Sequence, residues 1–379
     1  MEVYLDNAAT TPIRRSVVEA MRSAMLRNYG NPSSTHKFGR DTRAEIEEAR
    51  REIAELIGAQ PSEIVFTSGG TEADNLVLRS CAEYNGIRQL VSTRLEHHAV
   101  LDTLIEVSGR LDIPLHFLSV DSHGAICHEE LEEVLASGPS PSLVSLMHVN
   151  NEIGTVCDIG AVGAICRRYE AYFHSDTVQS IGHYPLNVSE IPVHFLAASA
   201  HKFHGPKGIG FAYVKKGVAL RPQITGGSQQ RGLRAGTEPY ESIVGLKVAL
   251  KESVSRMEQE KEYISGLRSR MWEGLRERVP GASINGFGME ETASYRILNV
   301  RLPMDPSKAQ LLLFQLDLQG VACSQGSACA SGSQMGSHVL QEILSEEERM
   351  HPSVRFSFSA FNRPEEIDYA VETIGSLCR

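Results

Sequence analysis

Ser199, His201 and Lys202 place a hydroxyl, an imidazole and an amine within four positions. An apolar run from Phe195 to Ala198 leads into them and reads as a buried strand. Gly205, Pro206 and Gly208 then punctuate the chain, and Gly208 to Val214 reads as a second strand. A lysine at a buried strand end must have its ammonium neutralised, paired or converted. One conversion is a Schiff base to an aldehyde cofactor, for which pyridoxal 5'-phosphate (PLP) is the usual partner. On this stretch alone a surface turn with two solvated lysines, Lys202 and Lys207, fits as well.

Other strand ends carry chemistry of the same kind. Glu63 to Thr67 reads as a strand, Ser68-Gly69-Gly70-Thr71 as a turn, and Glu72 to Ser80 as a helix. Unpaired N–H groups at such a helix start suit one phosphate, with the Thr71 hydroxyl beside them. The chain has no Gly-Lys dipeptide, which excludes a nucleotide P-loop. The strand Gln89 to Ser92 leads to His97 and His98, and a strand from Leu143 to Val149 leads to Asn151. The strand Ala171 to His174 ends on Asp176, an acid able to pair with a pyridinium nitrogen. The lone His97-His98 pair lacks a third ligand at helical spacing, so no metal is expected.

These residues share one logic. Strand–helix alternation from 63 to 214 implies an α/β fold with a largely parallel sheet between helix layers. Ligands of such sheets sit at the carboxyl ends of the strands. Thr71, His97, Asn151, Asp176 and Ser199 to Lys202 all fall there, which disfavours five independent surface turns. Upstream, Thr42 and Glu45 read as a capping box for a helix with Ile46, Ala49, Ile53, Leu56 and Ile57 on one face. Downstream come a glycine-rich loop from Gly226 to Thr237 and a helical pattern to roughly residue 279. The stretch from Cys323 to Ser333 is small and polar, so Cys329 reads as an accessible nucleophile in a mobile loop. Val354 to Phe358 alternates as a strand carrying Arg355, a candidate carboxylate fork.

Composition bounds the alternatives. The chain has 379 residues, 41% of them hydrophobic and 22% charged, an ordinary globular balance. A net charge of −10 disfavours a nucleic-acid surface. The N-terminus does not read as a signal peptide, and no window reads as a membrane span. Seven cysteines without a CxxC pair fit a reducing cytoplasm rather than a disulfide scaffold.

Together these motifs resemble the cysteine desulfurases of the class V aminotransferase group. They include Leu5-Asp6-Asn7-Ala8-Ala9-Thr10-Thr11-Pro12, Ser68-Gly69-Gly70-Thr71-Glu72, Glu96-His97-His98-Ala99, Asn150-Asn151-Glu152 and Ser199-Ala200-His201-Lys202. Gly326-Ser327-Ala328-Cys329 resembles the branch with a long cysteine loop, which supplies sulfur for nitrogen-fixation and housekeeping iron–sulfur assembly. The resemblance implies an aspartate aminotransferase-like fold, PLP as cofactor and L-cysteine as substrate. It implies a large domain over 15–255, and a small α+β domain from 1–14 and 256–379 that carries the loop.

It also implies roles. Lys202 would hold the cofactor and move the α-proton, His97 would stack on the ring, and Asp176 would hold the pyridinium proton. Asn151 and Gln179 would address the ring hydroxyl side and the substrate. Gly70, Thr71, Ser199 and His201 would grip the phosphate, with Thr237 reaching it from the other subunit of a homodimer. Arg355 would bind the substrate carboxylate. Cys329 would accept the sulfur, pass it to a scaffold or other acceptor protein, and transiently ligate a cluster shared with a scaffold; no permanent metal is implied. His194, Ala197, Ser228, Gln230 and Ser359 depart from the family pattern. A selenocysteine lyase or related PLP lyase of this fold, and a non-enzymatic sulfur carrier, are the rival readings.

Overall fold

The computed structural model describes residues 1–290, 292–305, 311–325 and 336–378. Its centre is a seven-stranded sheet of β2 (Ile64–Thr67), β3 (Gln89–Ser92), β4 (Leu115–Phe117), β5 (Ser142–Ser145), β6 (Tyr172–Asp176), β7 (Phe195–Ser199) and β8 (Gly210–Val214). The spatial order is β2-β8-β7-β6-β5-β3-β4. Only β8 runs antiparallel to its neighbours.

Both faces of this sheet are covered, so its strands read as continuous apolar runs rather than alternating ones. Along β7, Phe195 and Ala197 pack with Leu76, Val77, Val100 and Leu104 of helices α3 (Gly70–Tyr84) and α4 (His98–Leu111). Leu196 and Ala198 point to the other core, with Val17 of α1 (Arg15–Arg27), Ile46 and Ile53 of α2 (Lys37–Leu56), Val162 of α6 (Ile159–Arg168) and Leu246 of α7 (Tyr240–Ser255). A further core joins Val3 and Leu5 to Leu267 and Met271 of α8 (Met257–Arg278), Leu298, Phe356 and the last helix, Pro364–Leu377. Its sheet is antiparallel, with Ile297–Arg301 between Ser353–Ser357 and Ser283–Ile284.

Local readings differ from the sequence in three places. The helix expected to be capped by Thr42 and Glu45 begins at Lys37, where the His36 ring accepts from Gly39 N. Thr42 lies inside it and donates to the Phe38 carbonyl, and Glu45 accepts from Asn28 Nδ2 at 2.6 Å. The strand expected to run to Val149 stops at Ser145, and the buried residues beyond it are irregular backbone. The long helical pattern after residue 240 breaks at Arg256, between α7 and α8. No helix among the described residues is long and apolar enough to cross a membrane.

The N-terminal segment is a strap between the two sheets. Val3 and Tyr4 pair in parallel with Val321 and Ala322, and Ser357 N donates to the Leu5 carbonyl. Farther along, Thr11 N donates to the His201 carbonyl and Arg14 N to the His204 carbonyl. His204 has φ +67, an uncommon conformation outside glycine. Thr11 Oγ1 holds it by accepting from its N–H at 2.8 Å, while its ring lies 2.9 Å from the Pro12 carbonyl.

Gly210 sits between Thr67 and Ser199, the ends of two strands that carry the site. A β-carbon there would lie 2.1 Å from the Ala198 carbonyl oxygen and 2.8 Å from Gly69 Cα, both backbone. Gly210→Ala is therefore expected to cost about 1–3 kcal/mol by overpacking. Urea unfolding should show a lower midpoint at an unchanged slope.

Candidate active site

A cavity of about 280 Å³ opens at the carboxyl ends of the parallel strands. From the β2–α3 turn come Gly70 and Thr71, and from the α4 start comes His97. Asn151 follows the β5 end, Asp176 ends β6, and Gln179 lies just beyond it. Ser199, His201 and Lys202 arrive from β7, and Arg355 crosses from the small sheet. Ten of the expected residues thus share one space. Thr237 does not line it and is exposed on the glycine-rich loop. Cys329 lies outside the described residues.

The lysine is held from both ends. Its carbonyl is approached by His183 Nε2 at 3.0 Å and by Arg296 Nη2 at 3.5 Å. Its Nζ donates to the carbonyls of Ala8 at 2.6 Å and Ala9 at 2.9 Å. Burial and the Arg355 charge bring its pKa down to about 8, against the pull of Asp176 and Asp6. A lysine in this state is still mostly an acid near pH 7 and becomes a base one unit higher.

His97 caps α4, its Nδ1 accepting from Ala99 N at 3.1 Å. That bond leaves the proton of the neutral ring on Nε2. Burial lowers the pKa of His97, opposed by Asp176. Asp176 accepts from Val178 N at 2.8 Å; burial raises its pKa, opposed by His97, that N–H and Lys202. His201 touches Thr10 Oγ1 at 3.1 Å, and burial and Lys202 push its pKa down to about 4. It is a neutral donor or acceptor at ordinary pH.

Gly70 opens α3, whose first-turn N–H groups have no carbonyl of their own helix to bond. A β-carbon on Gly70 would lie 2.5 Å from Val178 Cγ2, so glycine keeps the cavity wall and the helix start together.

Sequence reasoning missed the carbonyls of Ala8 and Ala9, as well as Asp74, Met147 and Val178, all of which line the cavity. Asp74 had a usable signal, since it stands three residues after Thr71 on α3 and so shares its face. Its buried Oδ1 lies 3.3 Å from His174 Nε2 without hydrogen-bond alignment, and burial pushes the pKa of His174 down to about 3. His174 Nδ1 in turn meets Ser145 Oγ at 2.8 Å. Burial, Asp176 and Glu96 push the Asp74 carboxyl well up, which disfavours a second negative charge beside Asp176. No group of three or more candidate metal ligands occurs among the described residues.

The family departures stand away from the reacting groups. His194 Nδ1 accepts from Phe173 N, at the opposite end of the sheet. Ala197 is buried opposite Asp176, and Ser359 N donates to Asn362 Oδ1 at 3.0 Å. Ser228 precedes the turn Gln229–Gly232 of the glycine-rich loop. Gln230 anchors that loop, its Oε1 accepting from Arg50 Nη1 and Phe66 N, both at 2.9 Å.

Competitive acetylation of the cofactor-free protein should give Lys202 a reactivity midpoint near pH 8. A lowered amine pKa puts the reactive neutral form at lower pH. Exposed lysines, with pKa about 10.4, should titrate two units higher. Peptide mass spectrometry reads this directly, and a Lys202 midpoint above 10 would contradict the environment described.

Comparison with known proteins adds an independent line. The Aminotransferase class-V family model matches residues 3–370. A protein named cysteine desulfurase IscS from Dictyoglomus turgidum is 40% identical over 375 residues, covering 98% of this chain and 93% of that one. A solved NifS-like protein superposes with TM-score 0.90 at 35% identity, covering 99% of each chain. The structure of SspA in complex with cysteine superposes with TM-score 0.82 at 32% identity, over 95% of this chain and 100% of that one. With the lysine, acid and glycine turn gathered in one cavity, these matches make the chain a member of the class-V aminotransferase family, on its cysteine desulfurase branch.

Proposed function

We propose that this protein is a PLP-dependent cysteine desulfurase that converts L-cysteine to L-alanine and carries the sulfur as a persulfide on Cys329. The observation that carries the reading is a buried lysine of depressed pKa sharing a cavity with a buried aspartate, a histidine and an arginine fork. The same cavity fits PLP. It has an amine for the aldehyde, a buried carboxylate for the ring nitrogen, and a glycine-started helix for the phosphate. Bound PLP supplies the electron-withdrawing ring on which the substrate Cβ–S bond is weakened.

The protein's own groups do the rest. Lys202 would hold the cofactor, and its free amine would move a proton at the substrate α-carbon. Ala8 and Ala9 offer carbonyls to the free Nζ. His97 would pack on the ring and shield it from water. Asp176 would keep the ring nitrogen protonated, and the raised pKa of Asp74 beside it disfavours a second charge there. Gly70, Thr71, Ser199 and His201 would hold the phosphate, Gln179 and Asn151 would frame the ring hydroxyl side, and Arg355 would take the substrate carboxylate. The Cys329 thiolate attacks the substrate sulfur as the Cβ–S bond breaks. Its S–S bond forms, Cβ takes a proton, and alanine leaves. No outside oxidant is needed, because the sulfur is oxidised as Cβ is reduced.

The working unit is a homodimer. Met25, Leu26, Tyr29 and Phe38 are more than half exposed on one chain, and Tyr29 stacks on Phe38 with ring centroids 5.4 Å apart. Apolar exposure of that kind is characteristic of a covered surface. By the family resemblance, Thr237, exposed on each chain, would reach the phosphate of the second copy. The six described cysteines are free, which suits a reducing cytoplasm, and the persulfide goes on to an iron–sulfur scaffold or another acceptor protein.

Lys202→Ala is expected to lose the absorbance band of lysine-bound PLP even with PLP in excess. Cys329→Ala should keep that band but lose persulfide formation, with alanine production down at least about 100-fold, a cost of several kcal/mol. Cys323→Ala should behave like the parent, because burial first, then Asp6, holds that thiol up at about 12. Mass spectrometry after L-cysteine, without reductant, should add one sulfur to the Cys329 peptide. Leu26→Glu should move the dimer towards monomer in sedimentation and weaken PLP retention.

A further inference from the structure

Arg355 reaches the cavity with a partner already in place. Its Nη2 donates to Asp6 Oδ1 at 2.7 Å and its Nη1 to the Asn151 carbonyl at 2.9 Å. Its Nε has no partner among the described residues although the side chain is buried. The same Asp6 oxygen accepts from Ser324 Oγ at 3.0 Å. Ser324 pairs with Arg355 through the backbone, Arg355 N donating to the Ser324 carbonyl at 2.6 Å. Asp6 itself is fixed by the strap, where it bridges Ser357.

A buried guanidinium without an anion is costly, and any carboxylate that reaches it relieves that cost. Here the cost is already relieved by Asp6. We propose that Asp6 is a resident counter-ion that competes electrostatically with the incoming carboxylate for Arg355, and so keeps the affinity for substrate and product low enough for alanine to leave. The proposal rests on the reading of Arg355 as the carboxylate fork. The two anions need not exchange places. A ligand carboxylate that reaches Arg355, which lines the cavity, shares that one cation with Asp6, and like charges at such range oppose each other strongly. Asp6 is thus a positioning residue with an affinity-setting charge, acting through Arg355.

Asp6→Asn removes the charge and keeps an oxygen for Nη2 and Ser324 Oγ. Asp6→Glu keeps the charge. Two probes separate carboxylate binding from the rest of the reaction. 3-Mercaptopropionate has the thiol and carboxylate of cysteine without its amine, and cysteamine has the thiol and amine without the carboxylate. In calorimetric titration of the PLP-loaded enzyme, Asp6→Asn should bind 3-mercaptopropionate about tenfold more tightly, as expected when a like charge is removed. Cysteamine affinity should stay within about twofold, and Asp6→Glu should resemble the parent. With L-cysteine, both KM and kcat should fall in Asp6→Asn, because alanine is released more slowly. A purely orienting Asp6 predicts the reverse, a raised KM and weaker carboxylate binding, and that result would overturn the proposal. Arg355→Gln should abolish the carboxylate binding in both backgrounds. If the parent's affinity for 3-mercaptopropionate survives Arg355→Gln, the Arg355 reading fails first and the role of Asp6 falls with it.

Discussion

Everything in the site depends on burying one amine. Lys202 follows directly on the core strand β7, where Phe195 to Ala198 are fully buried. A charged ammonium in that position is disfavoured, and the protein offsets this with backbone rather than with an ion pair. Two carbonyls from the strap accept from Nζ, while His183 and Arg296 approach the lysine's own carbonyl. Burial first, then the Arg355 charge, brings the pKa to about 8. An ion pair at hydrogen-bond distance would have kept the amine protonated and chemically inert. Carbonyl acceptors orient the amine without locking its charge.

The strap explains how one site is made from two cores. Its first residues belong to the small core through Val3 and Leu5. Residues 6 to 11 then touch Arg355, Lys202, Gln179 and His201 in turn. A segment of small residues can do this because its backbone carbonyls and short hydroxyls reach the ligands directly. Larger side chains at Ala8 or Ala9 would occupy the space the strap defines.

The parallel sheet and its crevice were legible because the buried strands are continuous apolar runs and the chemistry-bearing residues fall where they stop. Lys202, His97 and Asp176 were found that way. The beginning of α2 was not, because a histidine acts as its cap and Thr42–Glu45 imitates a capping box one turn inside. The end of β5 was also misjudged. The residues from Leu146 to Val149 are as buried as a strand but bond irregularly, Met147 N donating to the Glu96 carboxylate instead of to a neighbouring strand. Composition registers burial there and says nothing of ladder partners. Asp6 and Asp74 were passed over for another reason. Their importance lies in contacts across more than 340 and about 100 positions of chain, with Arg355 and with His174, which no local pattern encodes.

The charge arrangement in the cavity has a consequence for the phosphate end. Among the described residues that line the cavity, the lysine and arginine are Lys202 and Arg355, near Asp176 and Asp6. His201, with its pKa near 4, is neutral, and Arg234 on the glycine-rich loop is spent on Glu72 at 2.9 Å. A phosphate at the α3 start would therefore meet backbone N–H groups and hydroxyls but no free cation from this set. A helix N-terminus contributes roughly half a unit charge, less than a phosphate dianion carries. Further donors from outside this set complete such a site most simply. Thr237 is exposed on the loop that Gln230 pins to Arg50 and Phe66, and in the proposed homodimer it would be a donor from the neighbouring copy. The proposed homodimer would give the anchored glycine-rich loop and the exposed patch at Met25, Leu26, Tyr29 and Phe38 one purpose, a phosphate site shared between subunits.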